Sequence, residues 1–313
     1  MGAQLVDSGL PKVNVLLSAY NGARYIVEQL DSIVSQVGVN VSLYIRDDGS
    51  GDDTLQILKS YRAQHENITV FSGANIGYVE SFFKLMLEAD NSADYFALCD
   101  QDDIWLPEKL VTAVDCLKSN NKPVPLMYFS RTEYVDQDLS HLGFSADLDV
   151  SRIGYRNALV QNVATGCTIV FNARARNAVI SKLPEYCLVH DWWVYLVVAT
   201  TGEVIYDRRT FIKYRQHSGN AIGAADTFWG IYKRRLLRFF SSRATGRVSL
   251  QLAEFNRLYA DSLSSSQQRN LQLLVDSRNS VSARLRLLFN NGYTRNNKLD
   301  SFFLKIMILI GRF

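Results

Sequence analysis

The chain has 313 residues, 47% apolar and 21% charged, a balance that excludes wholesale disorder and fits one large folded domain or two ordinary ones. Five prolines and no G-X-Y period exclude collagen-like and Pro-rich classes, and Cys99, Cys116, Cys167 and Cys187 form no C-x-x-C pair, which excludes a disulfide scaffold or a zinc site and implies a reducing, cytosolic compartment. The net charge of +3 hides an asymmetry: residues 226–313 carry 15 Lys and Arg against 5 Asp and Glu, whereas residues 1–225 carry 19 against 26, so two regions with different partners are expected.

Residues 1–12 lack a basic segment followed by an apolar core, so no signal peptide is expected. From Val13 to Leu17 apolar residues recur at every second position, and this strand pattern ends at Ser18-Ala19-Tyr20-Asn21-Gly22. Ile26, Val27, Leu30, Ile33, Val34 and Val37 then share one helical face. Val39, Val41, Leu43 and Ile45 return to period two and stop at Asp47-Asp48-Gly49-Ser50. Residues 51–64 read as a helix, 68–71 as a short strand, 78–87 as a helix and 95–99 as a strand ending at Asp100-Gln101-Asp102-Asp103. Pro107 opens a helix through about Leu117. Further on, Leu126–Phe129, Cys167–Phe171 and Glu203–Tyr206 read as strands, and His190–Ala199 as a helix with Asp191 in its first turn. Residues 228–313 carry mostly helical patterns, and the boundary is expected near Ala225. The most apolar runs, Val194–Thr200 and Phe302–Ile310, fall well short of the ~20 residues that cross a bilayer, so a soluble or peripheral protein is expected.

Strands alternating with helices predict an α/β fold with a mostly parallel sheet, whose ligands sit outside the carboxyl ends of the strands. Those ends deliver Ser18–Gly22, Asp47–Ser50 and Asp100–Asp103. Each stretch alone is ordinary turn chemistry; three on one edge point to a site. Asp100-x-Asp102, beside Asp103, concentrates negative charge that a hard cation such as Mg²⁺ or Mn²⁺ would relieve. The alternative is a surface turn or a cap for the Pro107 helix. No Walker motif and no G-x-G-x-x-G follows the first strand, so a nucleotide would be held by side chains and a metal rather than a glycine-rich loop.

The succession Leu16-Leu17-Ser18-Ala19-Tyr20-Asn21-Gly22, Arg46-Asp47-Asp48-Gly49-Ser50, Asn75-Ile76-Gly77 and Asp100-Gln101-Asp102-Asp103-Ile104-Trp105-Leu106-Pro107 resembles the family 2 glycosyltransferases. Ala164-Thr165-Gly166-Cys167, His190-Asp191-Trp192-Trp193 and Tyr214-Arg215-Gln216-His217 with Asn220 extend the resemblance across residues 12–220. The last two sets are similar to bacterial rhamnosyltransferases that build cell-surface polysaccharides. The resemblance implies a GT-A, Rossmann-like fold over residues 1–225, a mixed and mostly parallel sheet flanked by helices, with a basic helical region over 226–313. It implies nucleotide binding by Ser18, Tyr20, Asn21, Asp47 and Asp100, with Asp47 accepting from the pyrimidine N–H. It further implies Asp102 as a metal ligand, with His217 approaching the metal or diphosphate, and Asp191 as the base of an inverting transfer. Many relatives carry Glu-Asp where this chain has His190-Asp191, so the role of residue 190 stays open. An N-terminal helix cap is the structural alternative for Asp191. Of Trp192 and Trp193, one is expected in the core and one against a sugar. Gly166 either permits close approach of the acceptor or makes a turn.

The implied donor is dTDP-L-rhamnose and the implied acceptor a growing, lipid-linked surface glycan at the inner face of the plasma membrane. Rival readings are a UDP-hexose or UDP-N-acetylhexosamine donor on the same fold, and a catalytically silent scaffold subunit. In the basic tail, Lys233, Arg234, Arg235 and Arg238 are interleaved with Leu236, Leu237, Phe239 and Phe240, as in an interfacial helix on anionic lipid, and Phe302–Phe313, with Lys305 and Arg312, is expected to be able to dock likewise. Packing on the catalytic domain or on a second copy, giving a homodimer, explains them equally. No groove-reading motif supports nucleic acid.

Overall fold

A computed structural model of the chain describes residues 9–120, 122–217, 246–289 and 292–313. The expected boundary at Ala225, Asn220 and the Lys233–Phe240 basic segment lie outside the described residues. The chain forms two compact units: residues 1–147, 164–181 and 202–215 make the first, and residues 148–163, 182–201 and 216–313 the second.

The first unit is built on a mixed sheet, nine-stranded among the described residues. In chain order its strands are β1 (Lys12–Ala19), β2 (Asn40–Asp47), β3 (Ile68–Ser72), β4 (Tyr95–Cys99), β5 (Ile104–Trp105), β6 (Leu126–Val135), β7 (His141–Phe144), β8 (Val170–Asn172) and β9 (Glu203–Arg215). They lie in the order β3-β2-β1-β4-β8-β6-β9-β5, with β7 beside β6. The first four are parallel to their neighbours, and β8 enters antiparallel. β1 is buried from Val13 to Leu17, without alternation, as befits a parallel strand covered on both faces. β2 lies nearer the edge and alternates, burying Val41, Leu43 and Ile45. Helices α1 (Ile26–Val34), α2 (Thr54–Arg62), α3 (Tyr78–Glu88) and α4 (Lys109–Lys118) connect these strands. α1 buries Ile26, Leu30 and Ile33, spaced four and three apart on one face, each contributing about 1.5–3 kcal/mol of hydrophobic stabilisation.

Several expected elements differ. Val27 and Val37, expected on the buried face of α1, are exposed. α1 ends at Val34, and Val37 donates its N–H to the Pro107 carbonyl at 3.1 Å. The strand expected over Cys167–Phe171 begins only at Val170, because Gly166–Thr168 winds into a 3₁₀ turn. There the Thr168 N–H and hydroxyl both donate to the Thr165 carbonyl. β6 and β9 run well past the short strands expected and pair in parallel with register shifts near Arg131.

The described part of the second unit is helical. It contains α5 (Tyr155–Ala158) and α7 (His190–Thr201), while α6 (Ala173–Ile180) belongs to the first unit. Helices Arg247–Tyr259, Ser265–Asp276, Val281–Phe289 and Lys298–Leu309 follow. α7 buries every residue from Trp193 to Val198, which marks a helix enclosed on all sides. Trp193 meets Phe255 edge-on at 5.7 Å, and Phe255 stacks on Tyr259 at 4.9 Å. Among the described residues, no helix is long and apolar enough to cross a membrane.

Candidate functional site

Strand register brings the three polar loops of the first unit to one edge. Ala19 at the end of β1 pairs with Asp47 at the end of β2, and Leu17 pairs with Cys99 at the end of β4. Side-chain hydrogen bonds then tie the loops together. Asn21, at a positive φ of 49° that Asn tolerates, donates its N–H to Ser50 Oγ at 2.9 Å and accepts the Gly51 N–H at 2.8 Å. Gln101 accepts the Tyr20 N–H at 2.9 Å and donates to the Tyr20 carbonyl at 3.0 Å. Gly22 makes room for this clasp, since a Cβ there would lie 2.2 Å from Gln101 Oε1. The Tyr20 side chain stays 48% exposed at the mouth of the edge, and Ser18 Oγ donates to Ser81 Oγ at 2.7 Å.

Asp47 and Asp48 are both buried, but they are used differently. Asp48 is fully engaged by the Arg46 guanidinium at 2.9 Å and by the Ile76 and Gly77 N–H groups at 3.0 and 2.8 Å. It thereby fixes the Asn75-Ile76-Gly77 loop. Gly49, at φ 77°, allows that loop to approach, because a Cβ would lie 2.9 Å from the Asn75 nitrogen. Asp47 accepts the Ser50 N–H through Oδ2 at 3.2 Å, and its Oδ1 is buried without a hydrogen-bond partner. The sequence reading gave Asp48 no role.

After β4, Asp100 and Asp102 are half-buried and Asp103 is buried. The groups drawn within 4.8 Å of one another are Asp100, Asp103 and Cys167; Asp102 stands outside that trio. Asp103 accepts the Arg215 N–H through Oδ1 at 3.1 Å, while its Oδ2 is buried and unpartnered. Burial, then the charges of Asp102 and Asp100, push the Asp103 carboxyl well above its ordinary value. Burial likewise pushes up the Cys167 and Cys99 thiols. Asp100 and Asp103 bring oxygen donors to this cluster, and the buried Asp103 Oδ2 without a hydrogen-bond partner fits a hard divalent cation there.

Two buried cations that sequence reasoning left without a role support this loop. Arg215 donates from Nε to the Asp102 carbonyl at 2.9 Å and from Nη1 to the Gln137 carbonyl, pairs with Glu28, and lies 4.6 Å from the centroid of the Tyr25 ring. It belonged to a recognised motif, and that was its only signal. Lys109 is buried with its ammonium 3.5 Å from the centroid of the Trp105 ring and without a hydrogen-bond partner. Burial pulls its pKa down to about 8, against the pull of Cys99, Cys167 and Asp103. No sequence pattern distinguished it from a surface lysine of a helix.

Gly166 is buried at the start of the 3₁₀ turn. Asp191, Trp192, Trp193 and His217 fall in the second unit. Asp191 is half-buried in the first turn of α7, where the helix dipole favours a carboxylate, and it accepts the Trp192 N–H at 2.7 Å. Trp192 is half-buried and donates from Nε1 to the Ala158 carbonyl at 2.7 Å, whereas Trp193 is the core member of the pair. His190 is enclosed, and burial lowers its pKa to about 3, so it is neutral at physiological pH. His217 is half-buried.

Residues 14–177 match the sequence family described as Glycosyl transferase family 2. The chain is 31% identical over 240 residues to the dTDP-rhamnosyl transferase RfbG of Shigella flexneri, covering 70% of this chain and 77% of that protein. Its fold is similar to S. aureus TarS 1–349 in complex with UDP-GlcNAc, with a TM-score of 0.56 at 14% identity over 96% of this chain and 90% of that one. It is also similar to the mannosyltransferase PcManGT of Pyrobaculum calidifontis in complex with GDP-Man and Mn²⁺, with a TM-score of 0.55 at 15% identity over 97% and 86%.

Proposed function

We propose that this chain, which belongs to glycosyl transferase family 2, transfers L-rhamnose from dTDP-L-rhamnose to a hydroxyl of a growing, lipid-linked surface glycan, with inversion at the anomeric carbon. The observation that carries the donor is the 31% identity to a dTDP-rhamnosyl transferase across most of both chains. The unpartnered Oδ1 of Asp47, buried at the sheet edge, supports the nucleotide: it accepts the ring N–H of thymine. Uracil presents the same N–H, so a UDP-sugar is the rival donor. Tyr20, Ser18 and Asn21 frame the base and ribose, and Asp100 lies at the ribose. Asp102 would hold a divalent cation, Mg²⁺ or Mn²⁺, with His217 toward the diphosphate. The cation supplies charge neutralisation for the departing diphosphate.

Asp191 performs the proton transfer. Its carboxylate takes the proton of the acceptor hydroxyl as that oxygen bonds to the anomeric carbon. The bond from that carbon to the diphosphate oxygen breaks, and dTDP leaves with the electron pair. General-base assistance of this kind contributes about 10²–10⁴-fold. Trp192 flanks the sugar beside this base, and Gly166 leaves the acceptor room. The basic region 226–313 brings the enzyme to the inner membrane face where a lipid-linked acceptor resides.

The test is calorimetric titration of dTDP-rhamnose, UDP-glucose and UDP-N-acetylglucosamine, with Mg²⁺ or Mn²⁺ and then with EDTA. Metal-dependent binding that favours dTDP-rhamnose is expected. Preference for a UDP-sugar overturns the donor, and binding undiminished by EDTA overturns the metal. Retained donor binding with no transfer to any extracted lipid-linked glycan, in parent and Asp191→Asn alike, favours the scaffold reading.

A further inference from the structure

The second unit presents apolar side chains to solvent along two of its helices. On helix Val281–Phe289, Val281, Leu285 and Phe289 are exposed, Phe289 at 86%. Spaced four apart, they form one line along the helix. On helix Lys298–Leu309, which packs against the first, Leu299 and Phe302 are exposed three apart. The opposite sides of both helices are accounted for: Ala283, Leu287, Leu304 and Ile308 are buried. The outward residues therefore do not serve the core of the described structure.

The charge around these stripes is mainly positive: residues 276–313 contain seven Lys and Arg and two acids, Asp300 and Asp276, the latter sharing a groove with Arg286. Arg278, Arg286 and Lys298 are exposed. A second copy is a poor occupant of such a face. A two-fold interface would set this mainly cationic face against its own copy. Helices of 9 and 12 residues are also too short to span a bilayer. Apolar stripes on short helices with an excess of exposed cations match a surface that is apolar beneath and anionic above.

We propose that the exposed stripes of helices Val281–Phe289 and Lys298–Leu309 dock this chain on an anionic bilayer, with Leu285, Phe289 and Phe302 entering the acyl boundary and Arg286 and Lys298 meeting lipid headgroups. This gives the lipid-linked acceptor of the proposed function its physical counterpart and rests on that reading only for its purpose. The test is co-sedimentation of the full chain with phosphatidylcholine vesicles lacking or containing phosphatidylglycerol. Binding is expected only with phosphatidylglycerol and is weakened by added salt. Leu285→Ser/Phe289→Ser lowers affinity on the order of tenfold or more, and Arg286→Gln about fivefold. Calorimetric donor binding stays at the parent value in both variants, which shows that they fold.

Binding that ignores lipid charge, or survives the double substitution, overturns the proposal. So does a dimer in sedimentation velocity that the same substitutions dissociate while vesicles go unbound. Donor titration failing beside intact vesicle binding would sink the rhamnosyl reading and leave this surface standing.

Discussion

Replacing Asp47 with Ala separates a ligand-facing acid from a structural one. Among the described residues the Asp47 carboxylate makes a single hydrogen bond, accepting the Ser50 N–H at 3.2 Å, and its other oxygen is buried without a partner. Losing the Ser50 bond costs about 1 kcal/mol. Removing a buried carboxylate with an unpaired oxygen offsets that cost, so folding stability should change by no more than about 1 kcal/mol. Nucleotide binding should change far more. A hydrogen bond to a charged acceptor is worth about 1.5–3 kcal/mol, which corresponds to roughly 10–150-fold in dTDP affinity. Asp47→Asn keeps an acceptor oxygen without the charge and should fall between. Calorimetry with dTDP and with its N3-methyl analogue completes a double-mutant cycle. The methyl group removes the donor, so it should weaken binding to the parent and leave Asp47→Ala unaffected. An Asp47→Ala affinity within twofold of the parent, or an equal methyl penalty in both proteins, refutes the assignment.

Other consequences can be measured alongside. Asp191→Asn should lower kcat by about 10²–10⁴ with donor affinity within twofold, read from single-turnover transfer and calorimetry; an unaltered kcat removes Asp191 as base. Arg215→Met should cost about 2–5 kcal/mol in urea unfolding, since it leaves the Asp102 and Gln137 carbonyls without their donors; a shift below 1 kcal/mol would show that the loop stands without it. His190 has a folded pKa of about 3 against 6.5 for the free side chain. Below pH 6.5 the unfolded chain takes a proton that the folded chain refuses, so stability falls as pH drops, by about 1.4 kcal/mol per unit and about 2 kcal/mol by pH 5. His190→Gln should lose that part of the slope in denaturant titrations at pH 6.5 and 5, and an unchanged slope contradicts the assigned burial effect.

The parallel half of the sheet was legible because its signals are local. Val13–Leu17 and Val39–Ile45 alternate or run apolar, and each stops at a loop of turn residues that the parallel register must carry to one edge. Signals failed where a distant partner decides the outcome. Cys167–Phe171 is apolar and β-branched, as strands are, yet the Thr165 carbonyl captures Thr168 and winds the first residues into a turn. Only Glu203–Tyr206 of β9 was visible, because Asp207, Arg208 and Arg209 break the pattern. Asp207 is paired by Arg209 and by the Tyr128 hydroxyl, which keeps the strand going through that charged stretch. Val37 has the helical spacing but follows the end of α1, where the Pro107 carbonyl holds its N–H.

The acidic loops carry the same lesson into chemistry. Asp47 and Asp48 are adjacent and equally buried, and Asp100, Asp102 and Asp103 fall within four residues; composition cannot rank either set. The ranking comes from donors elsewhere in the chain. Arg46 and the N–H groups of Ile76 and Gly77 use up Asp48 and leave Asp47 with a spare oxygen. The Arg215 N–H, 112 residues away in sequence, turns Asp103 inward, while Asp100 and Asp102 remain half-buried. In the proposed reading the nucleotide-reading carboxylate is Asp47, whose buried Oδ1 has no hydrogen-bond partner within the protein. A sheet edge without a glycine-rich phosphate loop must rely on such groups, because backbone N–H donors that would otherwise cradle phosphate are spent on clasping Asn21, Gln101 and Asp48 to their neighbours. In the proposed reading a divalent cation on the acids, rather than a cradle of backbone N–H groups, meets the diphosphate at this edge.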